Sequence, residues 1–258
     1  MNQIILITDG CSNVGVSPVV AAAHAKAEGI TVHVIGVLDA HVASEHSAEE
    51  IHETARAGGG LSRLVAPSQL SETVQMVTRK TVVQSIQQVV GQELRTILGH
   101  SKLESLPPGQ RSEVVRVIDD LTETATLRVA LLIDASASMK PKLQAVKEAI
   151  YDLQLSLQSR QGKSWMAVLH FPGNLSGDQE VELDIGWTRD LANLSRLFYK
   201  LNMKGTTPTG PALLKTVQYM TADADDIHSS LSGEGAAGPG TEDRTAAGKD
   251  GMWSDYVV

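Results

Sequence analysis

The sequence predicts an α/β protein: a doubly wound, mostly parallel sheet with one antiparallel edge strand. Three observations carry this. Short apolar runs, Ile4-Ile-Leu-Ile7 and Val129-Ala-Leu-Leu-Ile133 among them, alternate with longer segments of helical periodicity, the pattern of strands buried on both faces. The resulting order is β-α-β-α-β-α, then β-α-β-β-α-loop-α, which places helices on both faces of the sheet. Two late runs, 165–169 and 181–185, flank a Pro-Gly-Asn turn region and are close enough in sequence to pair antiparallel.

In chain order, the first apolar run closes on Thr8-Asp9-Gly10, a carboxylate and a turn glycine. Ser17-Pro18 supplies an N-cap and a first-turn proline for a helix that ends at Gly29. Residues 31–38 form the next strand, with His33 expected as a packed side chain and not a ligand. A capping-box pattern, Ser47-Ala-Glu-Glu50, opens a helix over 47–57. His41, His46 and His52 form no metal-like pair on one helical turn and are expected in solvent. Gly58-Gly-Gly60 follows a helix and lacks the P-loop lysine and hydroxyl, so it reads as a tight turn into a strand at 61–66. A long helix covers 68–98, with Ile86, Val90, Leu94 and Ile97 on one stripe.

Pro107-Pro108 marks a connector, followed by a compact amphipathic helix in which Val114, Val117, Ile118 and Leu121 should dock. After the strand at 127–133, Pro141 opens a helix that should bury Leu143, Val146, Ile150, Leu153 and Leu157. A helix is expected over 191–201. Gly205-Thr-Thr-Pro-Thr-Gly-Pro-Ala-Leu213 is a loop leading into a helix that ends near Met220. Beyond about residue 222, acidic, Ser, Gly and Ala residues predict a disordered tail. The domain reading is therefore 1–222 and a tail over 223–258.

Composition narrows the function. The 258 residues carry a formal net charge of -8 and 3% aromatics, which argues against nucleic acid as a partner. Cys11 is the single cysteine, so a disulfide framework is excluded and a reducing compartment is expected. No run approaches the roughly 20 apolar residues of a membrane span, and no signal-like segment opens the chain. The expectation is a cytoplasmic protein that works away from membranes.

The chemistry concentrates at Asp134-Ala-Ser136-Ala-Ser138, directly after a buried strand. Alternation points these three hard oxygen groups to one side, a donor set suited to Mg²⁺. A polar strand end with a serine N-cap is the plainer reading of the same spacing. Ligands of doubly wound sheets lie at the carboxyl ends of central strands, where the winding reverses. Asp9 and Asp134 both end apolar strands, and the loop Thr206-Thr207-Pro208-Thr209-Gly210 is placed to meet them.

Together these segments resemble the von Willebrand factor A (vWA) family. Asp134-Ala-Ser-Ala-Ser138 is similar to that family's first motif, the 205–213 segment to its threonine loop, and Ile5-Leu-Ile-Thr-Asp-Gly10 to the strand and turn that carry its last aspartate. The resemblance covers about residues 1–222. It implies a metal-ion-dependent adhesion site (MIDAS) that holds Mg²⁺ or Mn²⁺ through Asp134, Ser136, Ser138, Thr207 and Asp9, with Thr206 as the alternative threonine. The order of the elements departs from the family. The strand expected fourth opens the chain, and the strand expected first follows residue 126. This implies a circular permutation, as in certain bacterial vWA proteins: 1–98 is the C-terminal half of the fold, 99–126 a connector with a short helix, and 127–222 the N-terminal half. Close domain termini make such a rearrangement inexpensive. The halves close within one chain, as a monomer, or exchange in a swapped dimer.

The expected function is protein–protein interaction: a partner's Glu or Asp carboxylate completes the coordination of the metal, and the protein is not an enzyme. The rival is a Mg²⁺-dependent phosphoryl hydrolase of doubly wound fold. Such enzymes commonly place a second acid where Ser136 stands, and no lysine or second acidic pair is placed for a phosphate. A serine hydrolase would need a Gly-x-Ser-x-Gly elbow, which this segment lacks. A scaffold with an inactive metal site is the third reading.

Overall fold

The computed structural model describes residues 1–38, 45–98, 107–173, 181–190 and 206–231. The chain divides into two compact units, Met1–Ala222 and Asp223–Val258. The helix expected over 191–201, His41 and the tail beyond 231 lie outside the described residues.

The apolar runs become the strands of one sheet: β1 (Asn2–Thr8), β2 (Ile30–Val37), β3 (Gly59–Val65), β4 (Leu127–Asp134), β5 (Ser164–Phe171) and β6 (Glu182–Thr188). Their spatial order is β3-β2-β1-β4-β5-β6. β1 to β5 run parallel, and β6 pairs antiparallel with β5 at the edge. The fold is thus α/β, a mostly parallel sheet with one antiparallel edge pair. The path starts at the sheet centre, winds out to β3, returns to the centre at β4 and winds out to β6 on the other side.

Two helical layers cover the sheet, and the two-residue period of the strands divides the core between them. Ile5, Ile7, Val129, Leu131 and Ile133 face α3 (Leu70–Leu98), α4 (Pro108–Thr124) and α5 (Leu143–Gln158). Ile4, Leu6, Ala130 and Leu132 face α1 (Pro18–Ala27), α2 (Glu45–Ala57) and α6 (Thr209–Leu231). Ile4, Ile5, Leu6 and Ile7 are all at most 1% exposed, which explains why β1 reads as an unbroken run. Full burial of such side chains stabilises by about 1.5–3 kcal/mol each. On α1 the contact is made by Ala21, Ala22 and Ala25, and the Ser17 hydroxyl caps the helix by accepting from the Val19 N–H.

Several sequence expectations change here. Ser47 does not cap α2, which begins at Glu45 and holds Ser47 buried inside it. On α4, Ile118 is buried and Val114 packs beside it, but Val117 and Leu121 are 46% and 42% exposed. A step of one or three residues rotates a side chain by about 100° or 60°, so a single narrow stripe cannot take all four. Leu143 is half-buried, because Met139, Lys142 and Val146 occupy the inward stripe. The last helix does not stop near Met220 but runs to Leu231, with neither glycine nor proline after Pro211 to break it before Gly233.

The glycine run behaves as a turn. Gly59 has φ +69°, and a Cβ on Gly60 would lie 2.1 Å from the Val32 carbonyl oxygen. His33 is fully buried: its Nδ1 accepts from the Leu61 N–H at 2.9 Å, and its Nε2 faces the Thr81 hydroxyl at 3.1 Å. Burial lowers its pKa to about 4. Among the described residues, no helix is long and apolar enough to cross a membrane.

Candidate metal centre

β1 and β4 are neighbours, paired from Asn2↔Arg128 to Ile7↔Ile133, and the chain winds away from them in opposite directions. Their carboxyl ends therefore form the crevice in which doubly wound sheets bind ligands. Asp134 ends β4 at 0% exposure. Its Oδ1 accepts from the Ser136 N–H at 2.8 Å, and its Oδ2 accepts from the Thr8 hydroxyl at 2.7 Å. The Ser136 and Ser138 hydroxyls lie 3.1 Å apart. Ser138 Oγ then donates to Asp9 Oδ1 at 2.8 Å. One continuous chain of bonds thus joins Thr8, Asp134, Ser136, Ser138 and Asp9, across 126 residues of sequence between Thr8 and Asp134.

The plainer reading, a serine N-cap, does not describe this segment. β4 leads into a 3₁₀ turn, Ala137–Lys142, and Ser136 stands at its start without a side-chain capping bond. Its hydroxyl points to Ser138 instead. Burial pushes the Asp134 carboxyl up from the ordinary aspartate range, against the bonds from Thr8 and Ser136, and the nearby Asp9 charge adds to the rise. A buried carboxylate beside a second carboxylate is a place where positive charge is favoured.

Thr207 is brought to the same end of the sheet by its backbone. Its N–H donates to Asn13 Oδ1 at 2.8 Å, and its carbonyl accepts from the Asn13 N–H at 3.2 Å and the Ser12 hydroxyl at 3.3 Å. Ser12 N–H in turn donates to Glu50 Oε1 at 2.8 Å. The threonine loop is therefore clasped to the loop after Asp9. Close packing seals the clasp, since a Cβ on Gly210 would fall 1.8 Å from the Val16 carbonyl oxygen. Thr207 is 8% exposed and Thr206 is exposed. Among the described residues, the hydrogen bonds of Thr207 are made by its main chain, so its hydroxyl is not joined to the other four side chains. Cys11, in the same loop, is half-buried, and its thiol is pushed up by burial and by Glu50.

Two side chains of the site escaped the sequence reading. Thr8 stands beside Asp9 in the turn and was legible only as a strand end. Lys142 is the larger omission: its Nζ lies 2.6 Å from Asp9 Oδ2 in an ion pair whose side chains are 8% and 3% exposed. The expectation that no lysine is placed for a phosphate is untouched by this pair, because the ammonium is buried against Asp9. The signal lies in the structure: Met139, three residues before, and Val146, four after, are buried, so the lysine sits on a buried stripe and needs a counter-charge.

The donors fit a hard divalent cation. All are oxygens, two carboxylates and two hydroxyls. Adjacent ligands of an octahedral Mg²⁺ at about 2.0–2.1 Å are about 3 Å apart, and the two serine oxygens are 3.1 Å apart. Among the described residues no three His, Cys, Asp or Glu side chains converge as a metal cluster, so the hydroxyls are needed to complete such a set.

The chain is 51% identical over 221 residues to the uncharacterized protein YabS of Bacillus subtilis (strain 168), an alignment that covers 85% of this chain and 89% of that one. It belongs to the YabS family. A crystal structure of an uncharacterized protein from Alicyclobacillus acidocaldarius subsp. acidocaldarius DSM 446 superposes with TM-score 0.81 at 39% identity, over 88% of this chain and 96% of that one. That protein therefore shares the architecture over nearly its whole length. Proximal thread matrix protein 1 (PTMP1) from the mussel byssus, in a structure with a zinc-occupied MIDAS motif, aligns at 15% identity over 80% of this chain and 43% of that one, with TM-score 0.26. So low a score carries nothing for the site of this chain. No protein-family model matches.

Proposed function

We propose that this YabS-family chain is a circularly permuted vWA domain that binds Mg²⁺ or Mn²⁺ and, through it, a Glu or Asp carboxylate of a protein partner. The observation that carries the reading is the bonded chain Thr8–Asp134–Ser136–Ser138–Asp9 at the switch point of the sheet. Asp134, Ser136, Ser138 and Asp9 would hold the ion, with Thr207 as the fifth residue of the set. When bound, the ion supplies an open coordination position for a carboxylate. Asp134 sits at the bottom of the crevice, held by Thr8 and Ser136. Ser138 is exposed and marks the entrance. The clasp by Ser12 and Asn13 keeps the threonine loop at the rim. The single cysteine supports a cytoplasmic setting.

Binding is favoured over phosphoryl hydrolysis by the set of carboxylates. A single carboxylate ends β4, because the position two residues on, where such hydrolases commonly carry a second acid, is Ser136. Lys142 is spent on Asp9 and buried. The test is capture of partners from lysate on the immobilised wild type and on Asp134→Ala, each with Mg²⁺ and with chelator. A set of partners that needs both Mg²⁺ and Asp134 is expected. A set indifferent to the chelator contradicts the reading, and turnover of p-nitrophenyl phosphate that vanishes in Asp134→Ala would favour the hydrolase.

A further inference from the structure

Lys142 stands where an apolar side chain would otherwise pack. Met139 and Val146, its neighbours on the stripe, are 0% exposed, and Lys142 itself is 6% exposed. Its ammonium lies 2.6 Å from Asp9 Oδ2, on a carboxylate whose other oxygen takes the Ser138 hydroxyl. A charge placed so deep is retained only with a partner. Asp9, which the metal reading assigns to the divalent ion, is thus already held by a cation of the chain. The charge count follows. With both aspartates ionised, as metal ligands are, they and Lys142 sum to −1, and a divalent ion raises the sum to +1. Without the lysine the same ion would bring the site to zero.

We infer that Lys142 is a built-in counter-cation of the centre: it neutralises Asp9 when no metal is bound and opposes the divalent ion when one arrives. This rests on the metal-binding reading and goes beyond it, since it assigns the residue that sets the affinity. The lysine then keeps the fold intact without metal, and its cost is weaker metal binding.

The experiment is Mn²⁺ titration of the full chain by calorimetry, together with thermal melts in EDTA and in Mn²⁺. The proteins are the wild type, Lys142→Met and Lys142→Arg. Lys142→Met should bind Mn²⁺ at least ~10-fold more tightly, melt ~5 °C or more below the wild type in EDTA and regain that loss in Mn²⁺. Lys142→Arg keeps the charge and should stay within about threefold of wild-type affinity. If Lys142→Met loses its fold in EDTA, Mn²⁺ should restore it, and Lys142→Gln repeats the test with a polar neutral side chain. Failure of Mn²⁺ to restore either neutral variant overturns the inference. Unchanged or weaker Mn²⁺ binding by Lys142→Met beside normal wild-type binding overturns the inference alone. Absence of Mn²⁺ binding in every protein overturns the metal reading with it.

Discussion

The two ends of the sheet handle buried charge in opposite ways. At the amino ends of the strands the charges are cations, set against aromatic faces and carbonyls. Arg128 lies 4.2 Å above the Trp187 ring, which stacks on Tyr219 at 5.6 Å. Arg160 donates to the carbonyls of Thr122 and Ala125 and to the Ser164 hydroxyl. At the carboxyl ends the charges are carboxylates, gathered from two distant segments, with one lysine between them. Aromatic faces and carbonyls complete the first end as structure. The second end sets two carboxylates, Asp9 and Asp134, against one lysine, an arrangement that favours a further cation.

The comparison can be broken at several points. The largest effect should come from the clasp: Gly210→Ala drives a methyl group into the Val16 carbonyl and should cost about 3 kcal/mol in urea unfolding, with weakened metal binding. Next is His33, which lies between the two ends, in mid-β2. Unfolded, it takes a proton below about pH 6.5; folded, it does so only near pH 4. Stability should therefore fall as pH drops through that window, by up to about 3 kcal/mol, and this limb should be missing from the pH profile of His33→Gln. Thr8→Val removes a bond to buried Asp134 and should cost about 2 kcal/mol in chelator, with a loss of metal affinity. The smallest effect is expected at the finished end, where Arg128→Met should cost about 1.5 kcal/mol and leave metal affinity unchanged. A change in metal affinity there would erase the distinction between the two ends.

Much of this was legible in sequence, for physical reasons. Strands buried on both faces announce themselves as apolar runs, so β1, β2 and β4 were readable, as was the antiparallel edge. The convergence of Asp9, Asp134, Ser136 and Ser138 was readable because each follows such a run or alternates just beyond it. What escaped depends on the third dimension. The clasp of Thr207 by Asn13 joins positions 194 residues apart, and neither spacing nor composition signals it. Lys142 was hidden because a lysine on an amphipathic helix is usually a solvated one, and only the burial of its neighbours reveals otherwise. The length of α6 was misjudged because polar composition was taken as a helix end, although polar residues without glycine or proline can continue one.

The measurement that reaches the central claim most directly is calorimetric titration of the wild type and Asp134→Ala with Mg²⁺ and Mn²⁺, with melting curves alongside. The account predicts saturable binding by the wild type, a melting temperature that rises with metal concentration, and the loss of both in Asp134→Ala. No response in either protein, or an equal response in both, would contradict a metal centre built at the junction of β1 and β4.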